Sequence, residues 1–470
     1  MGAVSARSSR VVILGGGPGG YEAALVAAHL GAEVTIVERD GLGGAAVLTD
    51  CVPSKTLIAT ADYMSEFETA ADLGVHLEDE KGQAVADAVA DLSEVNRRVL
   101  ELAEAQSDDI RTRLTEVGVR VVSAAGSLVS PTLVRAQTED GPEDFEADVV
   151  LVATGATPRT MDTARPDGER ILTWQQIYDL DVLPERLVVV GSGVTGAELA
   201  QAYLGLGSEV VLVSSRDRVL PGEDTDAAQV IEDVFTKRGM EVLDRSRMAA
   251  VERTADGVLV RLEDGREVEG THALLAVGSV PQTSGIGLEE SGVELTPSGH
   301  IEVDKVSRTS VRGVYAAGDC TGVLPLASVA AMQGRIAMSH ALGDAVAPLN
   351  LDVVSANVFT DPEIATVGVS QKDVDEEKVD AEVLMLPLSR NARAKMLGIT
   401  DGFVKLFAQK GSGAVIGGVV VAPRASELIF PVTLAVQHRL NVDQVASTFT
   451  VYPSLSGSIA EAARRLHPTD

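Results

Sequence analysis

The sequence predicts an α/β protein with two glycine-rich βαβ units, followed by an appended α+β domain. Two observations predict the βαβ units: a strand, a glycine turn and a helical run occur twice, and the glycine spacing is the same in both copies. A third observation is that the chain beyond Pro348 changes to alternating strands and helices without another glycine fingerprint. Gly accounts for 45 of 470 residues and aromatic residues for only 3%, which favours this class over an aromatic-rich all-β protein.

Composition and charge exclude several classes of function. The chain has 69 acidic residues against 39 Lys and Arg and a net charge of -30, whereas binding nucleic acid requires a basic surface. No apolar run approaches the roughly 18 residues that cross a bilayer, so we do not expect an integral membrane protein. Cys51 and Cys320 are too few for a disulfide framework, which predicts a reducing cytoplasm. No His or Cys cluster has metal-ligand spacing, and no metal site is predicted.

The repeat is defined by its glycines. The first copy begins with the strand and turn of Val11–Gly20, and the second copy occupies Leu187–Gly207. Counted from Gly15 in one copy and from Gly191 in the other, glycines recur at offsets 2, 5 and 16. Two strand–turn–helix segments with one spacing indicate that the same function is performed twice.

This spacing predicts dinucleotide binding. The first glycine permits a tight turn, the second allows backbone N–H groups to approach a pyrophosphate, and the third lets helix and strand pack closely. The residues with these roles are Gly15, Gly17 and Gly20 in the first copy, and Gly191, Gly193 and Gly196 in the second.

The copies differ at offset 23. The first copy has Glu38, a carboxylate positioned to accept hydrogen bonds from an adenosine ribose. The second has Ser214, followed by Ser215, Arg216 and Arg218. Without a carboxylate a 2′-phosphate is not repelled, and guanidinium groups can pair with it, so NADP(H) is favoured over NAD(H). An ordinary solvated loop is the alternative.

The two copies also set the expected domain boundaries. Residues 1–160 and 285–346 are predicted to form the first, discontinuous nucleotide domain, and residues 161–284 the second. Residues 347–470 are predicted to form the α+β domain.

Further motifs carry a family resemblance. They are GGAAVLTDCVPSK at Gly43–Lys55, ATG at Ala153–Gly155, AAGD at Ala316–Asp319, VFTDPEIATVG at Val358–Gly368 and YPSLSG at Tyr452–Gly457. With the two fingerprints, the chain resembles the pyridine-nucleotide disulfide oxidoreductases, the flavoprotein family of dihydrolipoamide dehydrogenase and glutathione reductase. The resemblance implies two Rossmann-like dinucleotide-binding domains, with FAD on the first and NAD(P)H on the second. It also implies a homodimer formed through a C-terminal α+β dimerisation domain.

Departures from the family pattern bear on function. Disulfide reductases of this family carry a C-x4-C pair, but here Ala46 occupies the first position and only Cys51 remains. Their H-P-T-x-S-E pattern is replaced by Tyr452 and Gly457 at the His and Glu positions. The chain is therefore similar to the quinone-reductase branch, in which electrons leave directly from the flavin to a small-molecule quinone.

The resemblance also implies roles for individual residues. Lys55 is expected near flavin N5, paired with Glu198. Cys51 is expected under the isoalloxazine, with an inert apolar filler as the alternative. Asp319 is expected to accept a hydrogen bond from the FAD ribityl chain, and Tyr452 to stack on a quinone or pack in the dimer core. The remaining cofactor positions are Gly44, Gly126 (near adenine), Thr154, Gly155, Gly278, Leu326 and Ala327.

Two alternatives remain open from the sequence. One is a soluble pyridine nucleotide transhydrogenase, in which the flavin passes a hydride to a second nicotinamide. The other is a redox-sensing flavoprotein with vestigial chemistry.

Overall fold

The computed structural model describes residues 8–70, 74–76 and 88–467 of the chain. The helices, numbered in chain order, are α1 (Pro18–His29), α2 (Gly44–Leu48), α3 (Cys51–Thr69), α4 (Leu92–Glu116), α5 (Val194–Leu206), α6 (Thr225–Lys237), α7 (Ala327–Ala341), α8 (Gln371–Asp375), α9 (Ala392–Met396), α10 (Ala425–Gln437), α11 (Val442–Ala446) and α12 (Gly457–Arg465). The strands are β1 (Arg10–Leu14), β2 (Glu33–Glu38), β3 (Arg120–Ser123), β4 (Ala125–Ser130), β5 (Leu133–Thr138), β6 (Gly141–Glu146), β7 (Val149–Val152), β8 (Ala156–Pro158), β9 (Ile171–Thr173), β10 (Arg186–Val190), β11 (Glu209–Val213), β12 (Glu241–Leu243), β13 (Met248–Arg253), β14 (Val258–Leu262), β15 (Glu267–Gly270), β16 (His272–Leu275), β17 (Ser279–Pro281), β18 (Val314–Ala316), β19 (Ser355–Val358), β20 (Glu363–Gly368), β21 (Ala381–Pro387), β22 (Phe403–Gln409) and β23 (Val415–Ala422).

The chain divides into two compact units. The first consists of Met1–Thr56, Asn96–Arg159 and Gly278–Asn350, and the second of Leu57–Val95, Thr160–Val277 and Leu351–Asp470.

The first unit is built on a parallel sheet with strand order β18-β7-β1-β2-β3. The inner strands β1 and β7 carry continuous apolar runs, as expected where both faces of a parallel sheet are covered. Residues Val11 to Leu14 are accordingly buried throughout. Helices α1 and α7 pack against each other, and Gly19 of α1 is in close contact with Gly334 of α7. A side chain at Gly334 would overlap the carbonyl oxygen of Gly19, so this contact requires glycine.

The second unit contains the second βαβ copy and the C-terminal sheet. The βαβ copy forms a parallel sheet of order β12-β11-β10-β16-β9, with β10 and β11 in register from Arg186↔Glu209 to Val190↔Val213. The C-terminal sheet is antiparallel, of order β19-β20-β23-β22-β21. Apolar residues of α10 and α12 share a buried core with its strands. The predicted α/β class with an appended α+β domain is confirmed.

Candidate nucleotide and redox site

The first glycine turn has the backbone that its spacing predicts. Gly15 has φ +99°, and a side chain there would overlap the carbonyl oxygen of Ala153. Gly20 lies so close to Gly15 that any Cβ would overlap the Gly15 carbonyl oxygen. Gly17 is different, because a Cβ there would come no nearer than 4.0 Å, to the Gly43 oxygen. The outer two glycines thus shape the turn, and the central one leaves space open above it.

The second turn repeats this geometry. Gly191 has φ +112° and sits against the carbonyl oxygen of Ala276, and Gly196 packs against the oxygen of Gly191. At Gly193 an added Cβ would meet no atom within 4 Å among the described residues. The sequence repeat is therefore also a repeat of backbone conformation.

Both turns lead into helices whose N-termini have no side-chain cap. The N-cap residues of α1 and α5 are Gly17 and Gly193, neither has a side-chain cap, and neither helix has an acidic residue in its first turn. The orphan N–H groups and the positive end of the helix dipole attract an anion. Open space at the central glycine and a helix start without a side-chain cap or an acidic first-turn residue together fit a dinucleotide pyrophosphate at each turn.

Glu38 ends strand β2 beside the first turn. Its carboxylate accepts hydrogen bonds from the backbone N–H of Gly16 at 2.6 Å and of Asp40 at 2.6 Å. Gly44, at the start of α2, also borders the turn, since a Cβ there would lie 3.0 Å from the Gly17 Cα. The first unit thus assembles two predicted cofactor residues around Gly17.

Other predicted residues of the first unit take part in hydrogen bonding, turns or packing within the fold. The Thr154 hydroxyl donates to the Gln282 carbonyl at 2.7 Å. Gly155 and Gly278 have φ of +69° and +92°, with open space where a side chain would be. Gly126 packs against Leu14 and Val37, leaving no room for a Cβ, so packing alone requires glycine there and the predicted adenine contact stays a prediction.

Asp319 lies on a short turn that a buried glutamine braces. The Oε1 atom of Gln333, 1% exposed, accepts from the Gly318 N–H at 2.8 Å. The Thr321 hydroxyl donates to the Gly318 carbonyl at 2.7 Å, which closes the turn. Burial raises the pKa of the Asp319 carboxyl, and nearby His300 opposes that rise. Gln333 was not predicted from the sequence, although a glutamine within the largely apolar run AAMQGRIAM was a usable signal.

Helix α7 begins close to this turn in sequence. Its N-cap is Leu326, partly buried, and Ala327 is its exposed first residue. As in α1 and α5, the start has no side-chain cap and no acidic residue in the first turn. Its N–H groups are therefore suited to an electronegative group of a ligand.

Residues 214–218 form the loop after β11. Ser214 is fully buried, and its hydroxyl accepts from the Ser192 hydroxyl at 2.7 Å and from the Arg216 N–H at 3.1 Å. Ser215 and Arg216 are exposed and Arg218 is partly buried. Ser214 thus stabilises the loop by buried hydrogen bonds, while the side chains of Ser215 and Arg216 are exposed.

The two cysteines differ in environment. Both are thiols outside any disulfide. Cys51 is partly buried at the start of α3, and Lys55 follows one turn later on the same helix. Cys320 is fully buried, and burial raises the pKa of its thiol to about 11. Of the two, only Cys51 has the exposure that redox chemistry needs.

Glu198 lies on α5, 2% exposed, where its Oε1 atom accepts from the Phe359 N–H at 2.8 Å. One turn further along α5, the Gln201 side chain makes two hydrogen bonds to the backbone of Asp361. Its Oε1 atom accepts from the Asp361 N–H at 2.9 Å, and its Nε2 atom donates to the Asp361 carbonyl at 3.1 Å. Helix α5 thereby anchors the segment that precedes β20. A small cleft beside these contacts is lined by Ile58, Ala61, Asp62, Ser65, Glu198, Gln201, Ala202 and Phe359. Of these residues, only Glu198 was predicted from the sequence.

Asp62 is the titrating group of this cleft. Desolvation raises the pKa of its carboxyl to about 7, and the negative charges of Asp361 and Glu363 add to the rise. The charged groups that face it are Glu66, Glu198, Asp361, Glu363 and Arg238. Asp62 is nevertheless exposed to solvent, so screening limits the energy involved.

This carboxyl makes stability depend on pH. Its pKa is about 7 when folded against 3.8 ordinarily, so the folded state binds the proton more tightly and stability falls as pH rises between these values. We expect Asp62→Asn to unfold at a higher temperature than the wild type at pH 8, with the difference vanishing near pH 4. Thermal unfolding between pH 4 and pH 8 measures the difference in unfolding temperature. A difference independent of pH would contradict the raised pKa of Asp62.

Tyr452 is 87% exposed in the C-terminal part of the second unit. Within the described ranges no group of three or more His, Cys, Asp or Glu side chains is arranged to hold a metal ion. None of the helices there combines the length and apolarity that crossing a bilayer requires.

Comparison with known proteins agrees with this geometry. The family model described as pyridine nucleotide-disulphide oxidoreductase matches residues 9–334, and the model of that family's dimerisation domain matches residues 354–463. A relative from Mycobacterium tuberculosis (strain CDC 1551 / Oshkosh), named NAD(P)H dehydrogenase (quinone), is 56% identical over 98% of this chain and 94% of its own. A dihydrolipoyl dehydrogenase from Haloferax volcanii is 33% identical over 97% and 96% of the two chains.

Solved structures show the same fold. The crystal structure of LpdA from Mycobacterium tuberculosis matches with a TM-score of 0.93 and 55% identity, covering 98% of this chain and 100% of that one. The HOCl-induced flavoprotein disulfide reductase RclA from Escherichia coli matches in fold, with a TM-score of 0.85 at 22% identity over 97% and 99% of the two chains. With both family models and these relatives spanning nearly its whole length, the chain belongs to the pyridine nucleotide-disulphide oxidoreductase family, as its motifs predict.

Proposed function

We propose that the chain is a FAD-dependent NAD(P)H:quinone reductase that passes electrons through the flavin to a quinone without a redox disulfide. The observation that carries the proposal is the single usable sulfur. Ala46, within α2, stands where the redox pair needs its first cysteine, and Cys320 is buried with a raised thiol pKa. A relative 56% identical to the chain is named NAD(P)H dehydrogenase (quinone), which supports this acceptor.

The test is turnover of the FAD-loaded protein with different oxidants. NADPH oxidation is expected with menadione or benzoquinone, and not with lipoamide or glutathione disulfide. Quinone reduction is expected to persist within about twofold in Cys51→Ser, because no disulfide takes part. Loss of quinone turnover in that variant, or rapid lipoamide turnover by the wild type, would contradict the proposal. Oxidation of NADPH by a nicotinamide analogue alone would favour the transhydrogenase.

In this proposal the first unit binds FAD. The N–H groups at the start of α1 hold the pyrophosphate, and Glu38 binds the adenosine ribose. Asp319 accepts a hydrogen bond from the ribityl chain, and the uncapped start of α7 stabilises negative charge on the ring. When bound, FAD supplies a carrier that takes electrons from the nicotinamide and passes them to the acceptor.

The second unit binds the nicotinamide nucleotide, and NADP(H) is the proposed preference. The start of α5 receives the pyrophosphate, and Arg216 and Arg218 meet the 2′-phosphate. Ser214 supports this preference indirectly: being buried, it shapes the loop, and it places no carboxylate where a phosphate would be repelled.

Lys55 is proposed to pair with Glu198 and to present its ammonium group to the flavin. The support is helix periodicity: Ile58 and Asp62 follow Lys55 at i+3 and i+7 on α3, and both line the cleft that contains Glu198.

Replacing Lys55 tests that role. Lys55→Met is expected to slow flavin reduction by NADPH at least about tenfold, because a positive charge beside developing negative charge is lost. Lys55→Arg keeps the charge and serves as the control. Stopped-flow absorbance measures the step, and an unchanged rate in Lys55→Met would contradict the role.

A homodimer is proposed through the dimerisation domain that the family model matches. Large apolar side chains there are exposed in the single chain: Phe430 at 63%, Phe449 at 103%, Val451 at 78% and Tyr452 at 87%. Exposure of several large apolar side chains in one domain supports an interface there. Sedimentation equilibrium should give twice the 49.0 kDa chain mass, and a monomer at micromolar concentration would refute the dimer.

Two further assignments accompany this function. We propose domain bounds of 1–160 with 285–346 for FAD, 161–284 for the nicotinamide nucleotide and 347–470 for dimerisation, which limited proteolysis would test. A cytoplasmic location is proposed from the two thiols, and secretion of the protein would exclude it.

A further inference from the structure

The loop after β11 is joined to the loop after β12. These strands are parallel and end in register at Val213↔Leu243, so their carboxyl ends lie at one edge of the sheet. The pairing continues beyond both strands. The Ser246 N–H donates to the Ser214 carbonyl, and the Arg245 N–H donates to the Arg216 carbonyl, each at 2.7 Å. This places Arg245 next to the loop that carries the predicted phosphate ligands.

We propose that Arg245 is a third guanidinium group for the 2′-phosphate of NADPH, acting with Arg216 and Arg218, and that it contributes to discrimination against NADH. The inference rests on the proposed function, because it concerns the nicotinamide nucleotide site of that enzyme.

The backbone of Arg245 is held in an unusual conformation. Its φ is +47°, in the left-handed region that residues other than glycine rarely adopt. The conformation persists because the neighbouring N–H groups bond to the adjacent loop. The side chain is 74% exposed, and its Nη1 atom lies 3.1 Å from an Asp244 oxygen. The strained backbone is therefore hydrogen-bonded to the Arg216 carbonyl, and the Arg245 guanidinium group is exposed to solvent.

Arg218 supplies an independent indication of a missing acceptor. Its Nε atom is buried and has no hydrogen-bond partner among the described residues. A carboxylate oxygen of Asp217 lies 3.9 Å from this atom, beyond hydrogen-bond distance. A buried donor without an acceptor is costly, and a phosphate oxygen would satisfy it.

The charges of the two loops favour an anion. Segments 214–218 and 244–245 contain three arginines, Arg216, Arg218 and Arg245, and two carboxylates, those of Asp217 and Asp244. This leaves a local excess of one positive charge on a chain whose net charge is -30. A phosphate dianion can pair with several guanidinium groups at once, as a ribose hydroxyl cannot.

Binding of 2′,5′-ADP and 5′-AMP to the FAD-loaded protein, measured by calorimetry, tests the inference. Arg245→Gln is expected to weaken 2′,5′-ADP binding by about tenfold to a hundredfold, with 5′-AMP binding unchanged. Arg245→Lys should retain part of the affinity. Arg245→Gly removes the guanidinium while suiting the left-handed backbone, so it gives the same readout even if Arg245→Gln folds poorly.

Arg247→Gln is the matched control. Arg247 lies two residues further along, 65% exposed, with its Nε atom 4.0 Å from Glu263, and its loss should leave both affinities unchanged. Equal wild-type affinity for 2′,5′-ADP and 5′-AMP would overturn the proposed NADPH preference, and the inference with it. A selective wild type whose selectivity survives Arg245→Gly but not Arg216→Gln would overturn the role of Arg245 alone.

Discussion

Replacing Lys405 with methionine is expected to lower the free energy of unfolding by about 3–5 kcal/mol, the usual cost of removing one partner from a buried ion pair. Lys405 lies within β22 with its side chain 2% exposed. Its Nζ atom bonds to Asp224 at 2.8 Å and to Asp226 at 2.6 Å. Asp224 is also buried, at 3% exposed, so the variant leaves its charge without a counter-ion. Denaturant unfolding measures the loss.

Two companion variants isolate the charge. Lys237 and Asp401 form an exposed pair at 3.9 Å, so Lys237→Met should cost less than about 1 kcal/mol. Asp224 caps α6, and asparagine caps a helix equally well. Adding Asp224→Asn to Lys405→Met should therefore restore more than half of the lost stability. Equal stabilities for Lys405→Met and the wild type would show that the buried pair does not stabilise the fold.

Gly193→Ala is expected to leave stability nearly unchanged while weakening NADPH and NADH at least about tenfold each. The backbone of Gly193, with φ -72° and ψ -174°, suits any residue, and an added methyl meets no described atom within 4 Å. Only a ligand at the start of α5 would meet that methyl. The KM values for both nucleotides and the thermal midpoint measure the effect, which differs from the selective loss expected at Arg245.

Two other glycines of the second unit provide controls for this variant. Gly222→Ala adds a methyl in open space elsewhere in the same unit and should change neither binding nor stability. Gly196→Ala should destabilise the unit, because its Cβ would overlap the Gly191 carbonyl oxygen. Unchanged nucleotide affinity in Gly193→Ala would place the pyrophosphate away from the start of α5.

The local features of the site were predictable because their physical causes are local. A tight turn after a buried strand needs the backbone freedom of glycine, and Gly15 and Gly191 have positive φ as the spacing predicted. Glu38 ends β2, and its carboxylate contacts Gly16 of the first turn, while its predicted role at an adenosine ribose stays a prediction.

Residues that depend on distant contacts were not predictable in the same way. Ser214 was selected from the sequence because it stands where the first copy has the carboxylate of Glu38. Only the fold shows that its hydroxyl accepts a hydrogen bond within its own loop. Gln333 braces the turn of Asp319 from a separate helix, and nothing in the spacing of the AAGD motif points to it. Desolvation is the main cause of the raised pKa of Asp62, and Asp361 and Glu363, which add to the rise, lie some three hundred residues away in sequence.

The sequence by itself determined the two βαβ units, their glycine turns, the family and the loss of the first redox cysteine, because each follows from residue identity at fixed spacing. Tertiary structure alone decided which charges are buried together and which loops become neighbours. Lys405 meets Asp224 only when β22 packs on the start of α6, and Arg245 reaches Arg216 only through the parallel register of β11 and β12. Such contacts join segments whose separation along the chain carries no periodic signal, so they exist only once the sheets have formed.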